Sequence, residues 1–376
     1  MRDVQEPGAP PGAPAAVAPG APGGAAYARV QSLEQALRAL AEASPPPVAL
    51  AGGTDLFSLI HQGRARPARL MDIGRLEALA GLGPDAEGGW RIGALATLAE
   101  LARPGALPPA YRALAQAAAA SATPALRNRA TLGGNLEQQV RCWFFRTGLP
   151  CLLVGDDHCA CAAPGAAGPF QAVFGHRAGE PGAGCGAVHP SDPAVALVAL
   201  DAQVELARWT EGGLARRRVP AGSYFPGRVD GGRRGLTARE PGELVVAVHL
   251  PPAGEGAWSS LYRKVTDRQA WQFALVSLAV AVRWQEWEGP GAAPVVGGAR
   301  LVLGGVALKP WRLEAVEAWL EGRALDEGAA RRAGELAVDG ADPLPGSRFK
   351  LELIRALVAD ALLELAAERR AQAAAR

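Results

Sequence analysis

The sequence predicts an α+β protein, because short apolar strands and amphipathic helices alternate along most of the chain. Ser32 to Gln35 has a capping-box pattern, and apolar residues follow it at helical spacing. Val48 to Ala51 predicts a short buried strand that runs into Gly52 and Gly53. Residues 348–368 predict a long helix rich in Ala and Leu. These observations set the fold class before any motif is considered.

Further elements follow in chain order. Strands are predicted at residues 70–73, 90–93, 194–206, 243–250, 273–284 and 299–306, and helices after a second capping box at Thr97 to Glu100 and at residues 313–320. Residues 142–190 interrupt this alternation, since they are rich in Gly, Cys, Pro and His and show no sustained period. An irregular stretch of that length inside a domain is usually functional or disordered.

Composition divides the chain into parts. Residues 1–26 form a Pro/Gly/Ala tail that cannot build a core, and we expect it to be disordered. Residues 27–250 are predicted to form the first domain, and residues 251–256 have the composition of a linker. Residues 258–370 are predicted to form a separate C-terminal α/β domain.

The charge balance excludes several functions. The chain has 39 basic and 37 acidic residues, a net charge of +2, which gives no electrostatic basis for binding nucleic acid or an anionic membrane. No apolar run approaches the ~18–20 residues that span a bilayer, and no apolar signal core follows Arg2. We therefore expect a cytoplasmic protein, although export with a signal-bearing partner is compatible with the sequence.

Two glycine-bearing loops have the chemistry of a phosphate cradle. Gly52-Gly53 ends a predicted strand, and Gly133-Gly134 follows Thr131 and precedes Asn135. Glycine lets backbone N–H groups approach an anion without a Cβ in the way. Neither loop has the G-x-G-x-x-G pattern, so a Rossmann dinucleotide site is not indicated. Spacing alone would favour ordinary turns.

All five cysteines lie between Cys142 and Cys185, which points to one local site rather than a disulfide framework. Four thiolates can hold a [4Fe–4S] cluster or a zinc ion. Only Cys159 and Cys161 are closely spaced, which fits zinc knuckles poorly, and ferredoxin spacing is absent as well.

At the two glycine loops the chain resembles the FAD-binding medium subunit of the xanthine dehydrogenase / molybdenum hydroxylase family. The resemblance continues, in order, through residues 189–192 (HPSD), 262–265 (YRKV), 273–277 (FALVS), 303–306 (LGGV) and 309–312 (KPWR). It spans residues 27–368. It implies a two-part FAD-binding domain of the PCMH/vanillyl-alcohol-oxidase-like type, followed by a C-terminal α/β domain like that of CO-dehydrogenase flavoproteins.

The resemblance also implies a set of FAD-binding residues. The first pyrophosphate loop would be Ala49, Leu50, Ala51, Gly52, Gly53, Thr54, Asp55 and Leu56, and the second would use Thr131, Gly133, Gly134 and Asn135. Asp192 would contact the flavin side of the cofactor. Val245 would pack on the isoalloxazine or donate a backbone hydrogen bond, and Lys264 would lie near the flavin.

The cysteine-rich residues resemble one branch of this family, which includes the beta subunit of 4-hydroxybenzoyl-CoA reductase and the flavin subunit of periplasmic aldehyde oxidoreductase. That branch carries a [4Fe–4S] cluster in an insert, here residues 137–188. Cys142, Cys151 and Cys185 match its ligands. The distance from Cys151 favours Cys159 as the fourth ligand, whereas the distance from Ala172–Gly175 favours Cys161. We assign Cys159 and keep Cys161 as the alternative.

The implied function is that of an electron-transfer flavoprotein subunit with FAD and a [4Fe–4S] cluster. It would relay electrons between partner [2Fe–2S] clusters, FAD and an external acceptor. The implied partners are a small [2Fe–2S] subunit and a large molybdopterin subunit, assembled as a heterotrimer or a dimer of heterotrimers. Two alternatives are a stand-alone FAD-dependent oxidase or reductase and a zinc-stapled interaction module. The sequence offers no side-chain nucleophile set, which fits chemistry that belongs to cofactors.

Overall fold

A computed structural model describes residues 25–374, apart from residues 164, 167, 178–182, 230–234, 255–257, 269–270, 286–288 and 290–291. The strands are β1 (Ala26–Arg29), β2 (Val48–Leu50), β3 (Arg69–Asp72), β4 (Leu82–Pro84), β5 (Trp90–Gly93), β6 (Gln203–Thr210), β7 (Gly213–Pro220), β8 (Leu244–Leu250), β9 (Ser259–Val265), β10 (Val276–Trp284), β11 (Val296–Gly304) and β12 (Trp311–Arg312).

The helices are α1 (Leu33–Glu42), α2 (Leu56–His61), α3 (Leu98–Leu101), α4 (Arg112–Ala120), α5 (Pro124–Arg127), α6 (Leu132–Leu136), α7 (Trp143–Thr147), α8 (Asp192–Ala199), α9 (Ala221–Tyr224), α10 (Glu314–Leu320), α11 (Glu327–Leu336) and α12 (Lys350–Ala374). Single 3₁₀ turns occur at Glu77–Leu79, Pro109–Tyr111, Leu152–Val154, Ala160–Ala162 and Pro345–Ser347.

These strands form three sheets. A three-stranded parallel sheet has the order β1-β3-β2, and a five-stranded antiparallel sheet has the order β4-β5-β8-β6-β7. The third sheet is antiparallel, in the order β12-β11-β10-β9. The predicted α+β fold class is confirmed.

The parallel sheet differs from its prediction in burial. The strand at Val48–Leu50 is present, but Val48 is 39% exposed and the other two residues are only partly covered. The prediction of a buried strand there was wrong, because β2 is an edge strand that pairs only with β3. Its exposed end leads directly into the first glycine loop.

Residues 194–206, predicted as strand, fold differently. The first half is helix α8, with Ser191 as its N-cap, and only Gln203–Thr210 is strand. All eight residues of α8 are buried, so the helix shows a continuous apolar run instead of an amphipathic stripe. The helix packs on α4 and against β10 and β11, which brings the five-stranded and four-stranded sheets to one element.

The C-terminal elements lie close to their predicted positions. β10 and β11 form the centre of the third sheet, and α10 to α12 pack around the core of that sheet. β10 begins at Val276 instead of residue 273, and β11 covers Val296–Gly304 instead of residues 299–306. The predicted tail falls almost wholly on residues 1–24, and the predicted linker falls partly on residues 255–257, all outside the described residues. Among the described residues, no helix is long and apolar enough to cross a membrane.

Lys350, at the start of α12, is completely buried. Its ammonium group donates hydrogen bonds to the carbonyl oxygens of Gln171 at 2.8 Å and Gly305 at 2.7 Å. Burial lowers the pKa of Lys350 to about 7, because the charged form loses its hydration. This side chain therefore joins the cysteine-rich segment, the third sheet and the last helix.

We expect the Lys350 amine to make stability depend on pH. Its pKa rises from about 7 in the folded chain to 10.5 in the unfolded chain, so folding releases a proton between those values. Relative to Lys350→Met, the free energy of unfolding of the native protein should rise by roughly 2 kcal/mol from pH 7 to pH 9. Urea titrations of both proteins at each pH measure this difference. A pH-independent difference would contradict a depressed pKa.

Candidate functional site

The first glycine loop packs tightly against the second. β2 ends at Leu50, and a Cβ added to Gly52 would lie 1.9 Å from the carbonyl oxygen of Arg129. Gly53 has φ of +73°, a conformation that non-glycine residues adopt only with strain. Both glycines are therefore required, one by close backbone approach and the other by backbone conformation.

The second loop begins helix α6. The Thr131 hydroxyl accepts a hydrogen bond from the Gly134 N–H at 3.2 Å, and Thr131 also forms an isolated β-bridge with Thr97. A Cβ on Gly133 would lie 2.9 Å from the Cβ of Ala94. The loop therefore lies directly on the chain that follows β5. The two loops predicted to cradle phosphate are neighbours in space.

Asp55 has a different environment from the glycines beside it. Its carboxylate accepts hydrogen bonds from the Gln139 N–H at 2.9 Å, from Arg146 at 2.9 Å and from Arg141. Burial opposes ionisation of Asp55, but the two guanidinium groups outweigh it and hold its pKa below the usual range. The side chain is thus directed at the segment around Cys142.

Asp192, the first residue of α8, is a second buried carboxylate with several partners. It accepts hydrogen bonds from Lys264 Nζ at 2.7 Å, from the Tyr262 hydroxyl at 2.6 Å and from the Ser121 hydroxyl at 3.2 Å. Lys264, predicted to lie near the flavin, is itself almost completely buried in this pair. The carboxylate joins α4, α8 and β9 at one point.

Asn135 links the second loop to this group. Its side-chain oxygen accepts a hydrogen bond from the Ser191 hydroxyl at 2.6 Å. Val245 is buried near the start of β8, opposite Leu206. The next residue, Val246, accepts a hydrogen bond from the N–H of Ala94, which contacts Gly133. The structure therefore gathers the second loop, Asp192 and Val245 in one region.

A cavity lies beside these residues, lined by Arg141, His189, Asp192, Phe273, Ser277 and Gly305, among others. His189 Nδ1 accepts a hydrogen bond from the Ser191 N–H at 3.3 Å, so Nε2 carries the ring proton. Burial lowers the pKa of His189 to about 3, which keeps the ring neutral. In the part of the chain described, neither His189 Nε2 nor Arg141 Nε has a hydrogen-bond partner. Unpaired polar groups beside a cavity fit a polar ligand.

The five cysteines converge although they span more than forty positions. Cys142 is the N-cap of α7, and Cys151 and Cys159 each precede a 3₁₀ turn. Cys142 is partly exposed, and the other four are buried. A small apolar cluster that includes Phe145, Val229 and Leu308 surrounds three of them, Cys142, Cys151 and Cys185.

Their thiols interact with one another. Cys159 Sγ lies 2.7 Å from Cys161 Sγ, and Cys151 also hydrogen-bonds to Cys159. These two neighbours lower the pKa of Cys159, and the same contacts raise the pKa values of Cys151 and Cys161. Burial raises the pKa values of Cys142 and Cys185. Nearby backbone N–H groups lower the pKa of each of the five thiols, against the effects of burial or of neighbouring thiols.

Across the residues that are described, no group of three or more His, Cys, Asp or Glu side chains is arranged to hold a single metal ion. The thiols form a sulfur-rich group in which Cys159 interacts with both Cys151 and Cys161, whereas Cys161 hydrogen-bonds to Cys159 alone. The choice between Cys159 and Cys161 as the fourth ligand stays a prediction.

Sequence reasoning missed the two arginines and the tyrosine that complete these groups. Arg141 and Arg146 flank Cys142 and bind a carboxylate more than eighty residues earlier, and Tyr262 binds Asp192. The available signal was weak: two arginines next to a cysteine, at i and i+5, in a chain rich in arginine. Only the folded arrangement shows which carboxylate they share.

Two families of known proteins match the chain. Residues 23–253 match the family described as the FAD binding domain in molybdopterin dehydrogenase, and residues 261–365 match the CO dehydrogenase flavoprotein C-terminal domain. The chain is 37% identical to the FAD-binding subunit of an aldehyde oxidoreductase of Escherichia coli K12, over 91% of this chain and 98% of that protein. It is 25% identical to the carbon monoxide dehydrogenase medium chain of Hydrogenophaga pseudoflava, over 84% and 87% of the two chains.

Solved structures share the fold. The structure of quinoline 2-oxidoreductase from Pseudomonas putida 86 superimposes with a TM-score of 0.67 and 22% identity, covering 92% of this chain and 98% of that chain. At this level of identity the likeness supports the fold alone.

The close approach of the two loops predicts a strong effect of a single methyl group. Gly52→Ala should lower the free energy of unfolding by at least ~1–3 kcal/mol, because the backbone of Arg129 must move. Gly83→Ala is the matched control, since a Cβ there has nothing within 4 Å. Denaturant titrations compare the three proteins. Equal stability of the two variants would contradict the contact.

Proposed function

Because the chain belongs to the family of FAD-binding subunits of molybdopterin dehydrogenases, we propose that it relays electrons through FAD and a [4Fe–4S] cluster. It would exchange them with partner [2Fe–2S] clusters on one side and an external acceptor on the other. The observation that carries this proposal is the convergence of five thiols beside two joined glycine loops. Residues 27–250 would form the FAD-binding domain and residues 258–370 the C-terminal domain.

The residues present fit FAD. Gly52 and Gly53 allow the close packing and the turn that shape the first loop, whose backbone would receive the pyrophosphate. In the second loop the N–H groups of Gly133, Gly134 and Asn135 already donate to Ala94 and Thr131, so that loop would contribute close approach of its backbone.

A small cavity beside Asp192 is lined by His189 and Arg141, whose unpaired Nε2 and Nε atoms would suit polar atoms of a ligand. Bound FAD would supply the one- and two-electron chemistry. This chain's residues would bind and orient it and exclude water.

Individual roles follow from this placement. Residues 49–56 would hold the pyrophosphate on one side, and Thr131, Gly133, Gly134 and Asn135 would hold it on the other. Asp192 would face the flavin side with its charge balanced by Lys264, and Val245 would pack against the ring or donate its backbone N–H. Since Lys264 is committed to Asp192, its charge would act on the flavin as part of that pair.

The thiol group fits a cluster in its donor chemistry. All its side-chain donors are sulfur, the ligand type that holds iron–sulfur clusters. Without a cation, a charged Cys159 must be stabilised by its neighbours' S–H groups. We assign Cys142, Cys151, Cys159 and Cys185 as ligands, with Cys161 as the alternative to Cys159.

The partners are proposed from the relatives. The related proteins are described as the FAD-binding subunit of an aldehyde oxidoreductase and the medium chain of a carbon monoxide dehydrogenase, names that imply further subunits. We propose a small [2Fe–2S] subunit and a large molybdopterin subunit as the partners of this chain, in a heterotrimer or a dimer of heterotrimers. Conversion of the organic substrate would take place on the molybdopterin subunit.

Anaerobic purification of the full chain tests both cofactors together. We expect about one FAD, four irons and four sulfides per chain, with a visible spectrum from both groups and an EPR signal from the reduced cluster. FAD without iron would reduce the proposal to a flavoprotein. A colourless protein that contains zinc would overturn it. Turnover of an organic substrate by the chain alone would instead indicate a stand-alone flavin enzyme.

A matched pair of variants identifies the fourth ligand. Cys159→Ser should lose most of the iron, whereas Cys161→Ser should keep it, because only one of these neighbouring sulfurs can complete the set. Iron and sulfide counts after anaerobic purification measure the difference, with FAD content as the control for folding. The reverse result would assign the role to Cys161.

A further inference from the structure

One ion cluster ties the first glycine loop to the cysteine-rich segment. The Asp55 carboxylate binds both Arg141 and Arg146, which lie one residue before and four residues after Cys142. Arg146 is buried and also donates to the carbonyl oxygens of Val140 at 2.8 Å and Gln139 at 3.1 Å. Both arginines therefore fix the backbone on the two sides of Cys142.

The same ion cluster, formed by Asp55, Arg141 and Arg146, reaches the second glycine loop. Arg141 donates a hydrogen bond from Nη2 to Gln138 Oε1 at 3.0 Å, and Gln138 donates from Nε2 to the carbonyl oxygen of Asn135 at 2.9 Å. The Arg141 guanidinium also lies 4.9 Å from the ring centre of Phe273, which lines the cavity. Arg141 thus contacts Asp55 of the first glycine loop and Phe273 at the cavity directly, and it reaches Asn135 of the second loop through Gln138.

The charges in this ion cluster do not cancel. One carboxylate faces two guanidinium groups, which leaves a surplus of one positive charge between the glycine loops and the thiols. A pyrophosphate and a thiolate-bound iron–sulfur cluster are both anionic, so this surplus positive charge attracts each of them. The ion cluster of Asp55, Arg141 and Arg146 therefore favours an anion at either site.

The geometry points to Asp55 as a positioning residue that couples the two cofactor sites, so that filling either one strengthens the other. This inference rests on the proposed function. Both carboxylate oxygens of Asp55 accept hydrogen bonds from protein donors, so its side chain orients the two arginines. Breaking a buried charge cluster by removing one partner is strongly unfavourable, so the cysteine segment and the loops must adopt one shared arrangement.

A thermodynamic cycle on the full chain tests this coupling. Flavin-free protein is titrated with FAD, with and without a cluster rebuilt from ferrous iron and sulfide, and flavin fluorescence gives each dissociation constant. We expect the cluster to tighten FAD binding at least tenfold in the native protein, with a reciprocal effect on cluster retention. In Asp55→Asn and in Arg141→Gln, the FAD dissociation constants measured with and without the iron–sulfur cluster should differ by no more than twofold.

Asp72→Asn is the matched control, because Asp72 is also a carboxylate bound to an arginine, Arg29, but lies in β3 without contact to the cysteines. In this control variant, the iron–sulfur cluster should still tighten FAD binding tenfold. If Asp55→Asn fails to fold, Arg141→Gln decides, since Asp55 then retains Arg146. Equal FAD dissociation constants with and without the iron–sulfur cluster in the native protein would overturn the inference, as would an undiminished tenfold difference in Arg141→Gln. Either result would leave the proposed iron–sulfur cluster itself in place. Native protein that binds no iron would overturn the proposed function, and this inference with it.

Discussion

The site depends on the contact between two stretches of backbone at Gly52 and Arg129. A Cβ at Gly52 would overlap the Arg129 carbonyl, so the parallel sheet and the helix after Thr131 can meet only where a side chain is missing. Gly133 makes the equivalent approach to Ala94 on the other side. With both approaches satisfied, two distant parts of the chain meet at one point. The cavity, Asp192 and the cysteines are arranged around that junction.

Charge organises the rest of the site. Asp192 is buried and is held by Lys264 and by hydroxyl donors, whereas Asp55 is partly buried and is held by two arginines. Buried charges are tolerated only when their partners are well placed, so each group specifies a local geometry. Asp192 lies where α8 meets the third sheet, so the surroundings of its carboxylate depend on the C-terminal elements. The first glycine loop depends instead on the cysteine-rich segment.

Local pattern predicted the elements whose period is visible in the sequence. The Thr97 capping box forms with both of its hydrogen bonds, and Trp90–Gly93 is a strand at its predicted bounds. Helix α8 was mistaken for a strand because complete burial removes the helical stripe. The partners of Asp55 could not be predicted, because ion pairs between residues more than eighty positions apart leave no local pattern. The glycine loops were identified by resemblance, since spacing alone favoured turns.

The burial of lysine has a consequence for chemical labelling. The sequence contains three lysines, and two of them, Lys264 and Lys350, have buried amines committed to protein acceptors. Lys309 is partly exposed, 5.7 Å from the ring centre of Trp311. Amine-reactive dyes and cross-linkers would therefore attach to the folded chain at Lys309 and the terminal amine. A fluorophore placed on Lys309 would be quenched by the adjacent indole, giving an optical reporter beside the third sheet without any engineered residue.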